Sequence, residues 1–147
     1  MAAGAAEKPR GLFLDEISLG QEAEFSKTVS EGDIQGYADV SGDTNPVHLD
    51  EQFAKTTIFK TRIAHGMLSA GFISAILGTK LPGPGCIYLS QSLKFLAPVK
   101  IGDKVTARAT VTDIVPEKKR VTLKTDCFVG DTKVIDGEAV VMVPVRT

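Results

Sequence analysis

The segment Gly66-Met67-Leu68-Ser69-Ala70-Gly71-Phe72-Ile73-Ser74-Ala75-Ile76-Leu77 limits what this chain can fold into more than any other. It has helical length, carries apolar residues all round and offers only Ser69 and Ser74 as polar groups. A helix with no polar face has to be covered on every side. The sequence after it supplies the cover. Beyond Gly78 and the loop Leu81-Pro82-Gly83-Pro84-Gly85, the period falls to two, with Ile87, Leu89, Gln91, Leu93 and Phe95 alternating with Tyr88, Ser90, Ser92, Lys94 and Leu96. Residues 104–115, 120–130 and 133–145 read as further strands, separated by turns at 101–103 and 116–119. Strands following one another in chain order predict an antiparallel meander. One apolar sheet face and one wholly apolar helix predict an α+β fold in which an antiparallel β-sheet wraps around a long central helix. A single sheet leaves part of the helix and an edge strand uncovered, so the same reasoning predicts a homodimer.

The first third of the chain reads as a strand at 21–29, with Ala23, Phe25, Lys27 and Val29 on one side, followed by a helix. Ser30 is placed to cap that helix, Glu31 and Asp33 suit its first turn, Ile34, Tyr37, Ala38 and Val40 form its apolar face, and Gly42 ends it. Asp50 can cap a second short helix through Phe53 and Ala54, and residues 56–62 read as irregular chain anchored by Ile58 and Phe59. Residues 1–18 read as a disordered or loosely packed tail and 19–147 as one domain, long enough for a real core.

Seventeen basic against eighteen acidic residues, with no basic run longer than Lys118-Lys119-Arg120, give no reason to expect a nucleic-acid partner. No apolar run approaches the roughly 20 residues that span a bilayer, so no membrane partner is expected either. Cys86 and Cys127 lie in apolar strands without metal-ligand spacing, which suits a reducing, cytoplasmic setting.

Chemistry concentrates in Ser41-Gly42-Asp43-Thr44-Asn45-Pro46-Val47-His48-Leu49-Asp50. Proline biases the residue before it away from helix, so Asp43 and His48 sit on a non-helical loop that can turn both side chains to one point. A carboxylate and an imidazole converging on one water can add or remove water. The same residues also make a good turn, with Asp43 and Asn45 bonding local backbone, and spacing alone leaves both readings open. A second motif, Ile63-Ala64-His65-Gly66-Met67, lies where the chain enters the apolar helix. A helix N-terminus presents free amides, so Gly66 is a candidate donor to the oxyanion of a thioester carbonyl, close helix–sheet packing being its other explanation. His65 reads as a brace for the loop. Asp43, His48, Asp50 and His65 are metal-ligand types, but they lack His-x-His or His-x-x-x-His pairing, and no metal is expected. Ser69 and Ser74 are expected to bond within their own helix, outside any nucleophile elbow.

Together, Asp43-Thr44-Asn45-Pro46-Val47-His48-Leu49-Asp50, Ile63-Ala64-His65-Gly66-Met67 and Leu81-Pro82-Gly83-Pro84-Gly85 closely resemble the MaoC-like hydratases of the hot-dog fold. Among them the chain looks most like the (R)-specific enoyl-CoA hydratases that supply polyhydroxyalkanoate synthesis, and it is similar to the 3-hydroxyacyl-thioester dehydratases of fatty acid synthesis. The resemblance implies reversible hydration of trans-2-enoyl-CoA to the (R)-3-hydroxyacyl-CoA, with Asp43 and His48 catalytic, Gly66 as oxyanion hole, and Asn45 and His65 in support. It implies an acyl pocket bordered by Ser74 and Leu77, with Phe72 a further apolar candidate on the same helix. It also implies a homodimer acting on an acyl-CoA substrate without a cofactor. The alternatives are a dehydratase acting on acyl carrier protein, a hot-dog thioesterase, and a non-catalytic acyl-thioester-binding module.

Overall fold

The structure, a computed structural model, describes residues 10–147. Five strands, β1 (Glu22–Thr28), β2 (Ile87–Phe95), β3 (Lys104–Val115), β4 (Arg120–Val129) and β5 (Thr132–Met142), form one antiparallel sheet. Among the described residues four α-helices accompany them: α1 (Glu31–Ser41), α2 (Pro46–Leu49), α3 (Glu51–Ala54) and α4 (Gly66–Thr79). The α+β architecture is as expected, but the sheet order β1-β3-β4-β5-β2 is a meander only from β3 to β5. Strand β2 lies on the outer side of β5, from Ile87 opposite Met142 to Phe95 opposite Ile135, while β1 flanks β3 at the other edge. The long helix separates these two edge strands in the chain and reaches both of them in space. Strands stand about 4.8 Å apart and a helix is about 10 Å wide, so touching both edges of five strands requires the sheet to curve around it.

Inward residues follow the period of two: Val105, Ala107, Ala109 and Val111 on β3, and Val121, Leu123, Thr125 and Cys127 on β4, are buried. On α4, Ile73, Ile76 and Leu77 are fully buried, each contributing about 1.5–3 kcal/mol of apolar burial. Cover is nevertheless one-sided. Met67, Gly71, Ser74 and Gly78, spaced as a helical stripe, face away from this chain's sheet.

Helix α1 is set by a reciprocal cap, Asp33 N–H donating to Ser30 Oγ at 3.1 Å and Ser30 N–H to Asp33 Oδ2 at 3.0 Å. It ends on Gly42 at φ 80°, the left-handed conformation glycine adopts without strain. Ile34 and Ala38 are buried, but Val40 is 83% exposed, because six residues from Ile34 the helix has turned to its far side. Ile58 is likewise 87% exposed and anchors nothing. Residues 10–18, assigned to the tail by sequence, run along the proline loop: Gly11 and Leu12 N–H donate to Pro84 and Pro82 carbonyls, Leu14 N–H to that of Pro144, and Ile17 is buried. The guanidinium groups of Arg10 and Arg146 each lie 4.8 Å from the centroid of the Phe13 ring. Residues 1–9, the rest of that tail, lie outside the described residues.

Candidate active site

Once α1 stops at Gly42, local bonds organise the loop. Asn45 N–H donates to Asp43 Oδ1 at 3.2 Å, and Val47 N–H donates to Asn45 Oδ1 at 3.1 Å. The second bond makes Asn45 the cap of α2, with Pro46 in the first-turn position where its locked φ and missing N–H cost nothing. The loop is therefore non-helical only through Asn45, and His48 rides on a single helical turn. Asp50 is spent on α3, where its Oδ1 accepts from Gln52 and Phe53 N–H at 2.9 and 3.3 Å.

His48 Nδ1 lies 2.8 Å from the Ile63 carbonyl. A carbonyl only accepts, so Nδ1 carries the proton and Nε2 keeps its lone pair. His65 Nε2 donates in the same way to the Asp43 backbone carbonyl at 3.0 Å. Arg62 closes the loop, its Nε donating to the His48 carbonyl at 2.6 Å and its two terminal nitrogens to the Glu31 carboxylate at 2.7 and 2.8 Å. A carboxylate oxygen of Asp43, a ring nitrogen of His48 and one of His65 all lie within 4.8 Å of one another. Burial pushes the His48 pKa below its ordinary value, with His65 acting in the same direction, against the Ile63 bond and the Asp43 charge. Each imidazole has committed one nitrogen to a carbonyl, and the two rings lie 3.9 Å apart at 31°.

Gly66 opens α4 directly after His65, and no side chain caps that helix. Gly66, Met67 and Ser69 of its first turn line a cavity of about 370 Å³ whose polar side is Asp43, His48, His65, Gly66 and Ser69. Its apolar walls come from Phe59, residues 95–99, and Val134 with Ile135. Asp43, His48, His65 and Gly66 thus meet at one place. Phe72, Ser74 and Leu77, expected to border an acyl pocket, are not in its lining. Phe72 packs on Phe25 with ring centroids 5.7 Å apart, Leu77 is core, and Ser74 is on the exposed stripe of α4. Ser69 also departs from expectation. Its Oγ is buried without a partner, whereas Thr79 on the same helix donates to the Ala75 carbonyl at 2.6 Å.

The walls were not singled out from sequence, although Phe95-Leu96-Ala97-Pro98-Val99 is an unbroken apolar run where β2 should still alternate. Val134 and Ile135 are both buried next to a register shift between Cys127 and Phe128, a bulge that turns consecutive residues inward and that period-two reading misses.

The model of the MaoC like domain matches residues 15–136. An (R)-specific enoyl-CoA hydratase of Rhodospirillum rubrum is 63% identical over 134 residues, 91% of this chain and 93% of that one. A 3-hydroxybutyryl-CoA dehydratase of Methylorubrum extorquens is 50% identical over 135 residues, 92% of this chain and 86% of that one. Among solved structures, the unliganded R-hydratase PhaJ1 of Pseudomonas aeruginosa superposes with a TM-score of 0.87 at 48% identity, covering 92% of this chain and 88% of that chain. With a matched family model over most of its length and relatives at this identity, the chain belongs to the MaoC-like family.

Proposed function

We propose that this chain catalyses the reversible addition of water to trans-2-enoyl-CoA, giving the (R)-3-hydroxyacyl-CoA. The observation that carries the reading is the pairing of His48 with Asp43: Nδ1–H is bound to the Ile63 carbonyl, which leaves Nε2 unprotonated, and a ring nitrogen of His48 lies within 4.8 Å of an Asp43 carboxylate oxygen at the polar end of an apolar cavity. Water held between the two loses a proton to Asp43 as its oxygen bonds C3. The C2–C3 π electrons move onto the thioester oxygen, where the Gly66 amide meets the negative charge. Collapse of that enolate takes up a proton at C2, which the Asp43–His48 pair returns with His48 completing the transfer. One water has been added, both groups are restored, and no cofactor is needed. The relatives named for the same reaction and its reverse support the assignment.

The finer parts of the reading belong to the same proposal. Coenzyme A is the carrier, the setting is cytoplasmic, and the active protein is a homodimer. The dimer accounts for the exposed apolar residues of edge strand β2, Ile87, Tyr88 and Leu89, and for the uncovered stripe of α4. Among the described residues no helix is long and apolar enough to cross a membrane. Loss of the enoyl absorbance of crotonyl-CoA, with chiral analysis of the product, tests the reaction. An (S) product, or release of free coenzyme A in place of hydration, overturns it.

A further inference from the structure

Phe95 ends β2 on the strand face that carries Gln91 and Leu93, and its ring reaches past the core to the start of α4. A Cβ built on Gly66 would lie 2.5 Å from both Cδ1 and Cε1 of that ring. The space left by the missing side chain of Gly66 is thus occupied by Phe95. The ring lines the cavity while 54% of the residue remains exposed, so one part presses on the helix start and the rest is open. Its backbone is held against β5 at the strand end: Phe95 pairs with Ile135, and Leu96 N–H donates to the Val134 carbonyl at 2.8 Å. Both of those β5 residues are themselves cavity wall.

A thioester whose oxygen accepts from the Gly66 amide has its C2 within roughly 5 Å of that nitrogen, given a hydrogen bond of about 2.9 Å. The ring is in van der Waals contact with the same residue, so a substituent on C2 competes with it for space, whereas C3 and the remaining chain lead away toward Asp43 and His48. We propose that Phe95 is a specificity-determining residue that restricts the site to enoyl thioesters unbranched at C2. The proposal rests on the hydratase reading above and names the substrate class within it.

The test compares kcat/KM for crotonyl-CoA and for tiglyl-CoA, its 2-methyl-branched counterpart, in the wild type, Phe95→Leu and Phe95→Ala. A methyl group in a packed site is worth about 10- to 200-fold in selectivity. The intrinsic effect of the methyl on reactivity is common to all three proteins, so the change in the crotonyl-to-tiglyl ratio is the readout. The ratio is expected to fall at least about 10-fold in Phe95→Ala, by a gain on tiglyl-CoA, with Phe95→Leu between. An unchanged ratio in both variants overturns the proposal. Should a variant lose turnover, the ratio of Kd for 2-methylbutyryl-CoA and butyryl-CoA, which differ by the same methyl on C2, decides in the same way. A wild type that hydrates neither enoyl thioester defeats the hydratase reading itself, whereas crotonyl-CoA turnover with an immovable ratio defeats the role of Phe95 alone.

Discussion

His48 and His65 stack ring on ring, with centroids 3.9 Å apart and planes inclined by 31°, and each donates one ring N–H to a backbone carbonyl of the loop that holds them. Tyr37 packs on the other ring of this pair, His65, at 4.6 Å. Burial favours the neutral form of His48, and the charge of His65 at this separation acts in the same direction.

Stability should therefore fall on mild acidification. Burial holds the folded-state pKa of His48 below the 6.5 of an ordinary histidine. Below about pH 6.5 the unfolded chain binds the proton more readily than the folded one. The contribution of His48 is fully present above that pH and is lost as pH falls toward the folded value. The carboxyls of Glu16 and Asp136, each held down to about 2 by their cationic partners, titrate well below this window. Urea midpoints between pH 7.5 and 5.5 should decline, and His48→Gln should flatten the decline. A midpoint in the wild type that does not move would contradict the assignment.

Removing the carboxylate and removing the imidazole should have different structural costs. Asp43→Asn and His48→Gln should each slow crotonyl-CoA hydration by about 10²- to 10⁴-fold. Asp43 is exposed, and an amide oxygen can still accept from Asn45 N–H, so its stability change should stay within about 0.5 kcal/mol. His48→Gln gives up the bond to Ile63 and should cost about 1 kcal/mol in chemical denaturation. Near wild-type rates in both variants would remove the pair from the mechanism.

Gly66 and Phe95 should be energetically coupled. A methyl at position 66 meets the Phe95 ring at 2.5 Å, so Gly66→Ala should destabilise by about 1–3 kcal/mol. In a Phe95→Ala background the same change should cost at least about 0.5 kcal/mol less, because the obstructing ring is gone. Strict additivity in this double-mutant cycle would show that the two residues do not compete for one space.

The two thiols should differ in reactivity. Burial pushes the Cys127 pKa up to about 12 and raises that of the half-buried Cys86, whose Sγ–H donates to the Leu77 carbonyl at 3.1 Å. Iodoacetamide at pH 8 should leave Cys127 unlabelled in the folded protein and modify Cys86 only slowly, as read by peptide mass spectrometry. Fast native labelling of Cys127 would place it outside the core.

How far such a site can be read from sequence depends on the range of the interactions that build it. Ser30 with Asp33, Asn45 with Val47 and Asp50 with Gln52 are bonds across a few residues, and each is legible in the order of the chain. The phase of α4 is not. A helix apolar all round has no stripe to say which side meets the sheet, so Phe72 and Leu77 could not be told apart as core or cavity wall, nor Ser74 as exposed. The place of β2 beside β5, which brings Phe95 opposite Ile135, depends on a long-range pairing that no local pattern encodes. Asp43, His48 and the helix entrance at Gly66 were legible as candidates because each sits on a local signal; the walls were not, because they come from strands that meet only in the folded sheet.

The loop that presents Asp43 and His48 is tied together by three bonds from side chain to main chain: His48 to the Ile63 carbonyl, Arg62 to the His48 carbonyl and His65 to the Asp43 carbonyl. These donors reach across 15, 14 and 22 positions of the sequence. Every residue type presents a main-chain oxygen, so the acceptor side of this clasp is indifferent to substitution. The shape of this loop is in effect written in three donors, and the residues between them can diverge while Asp43 keeps its station beside His48.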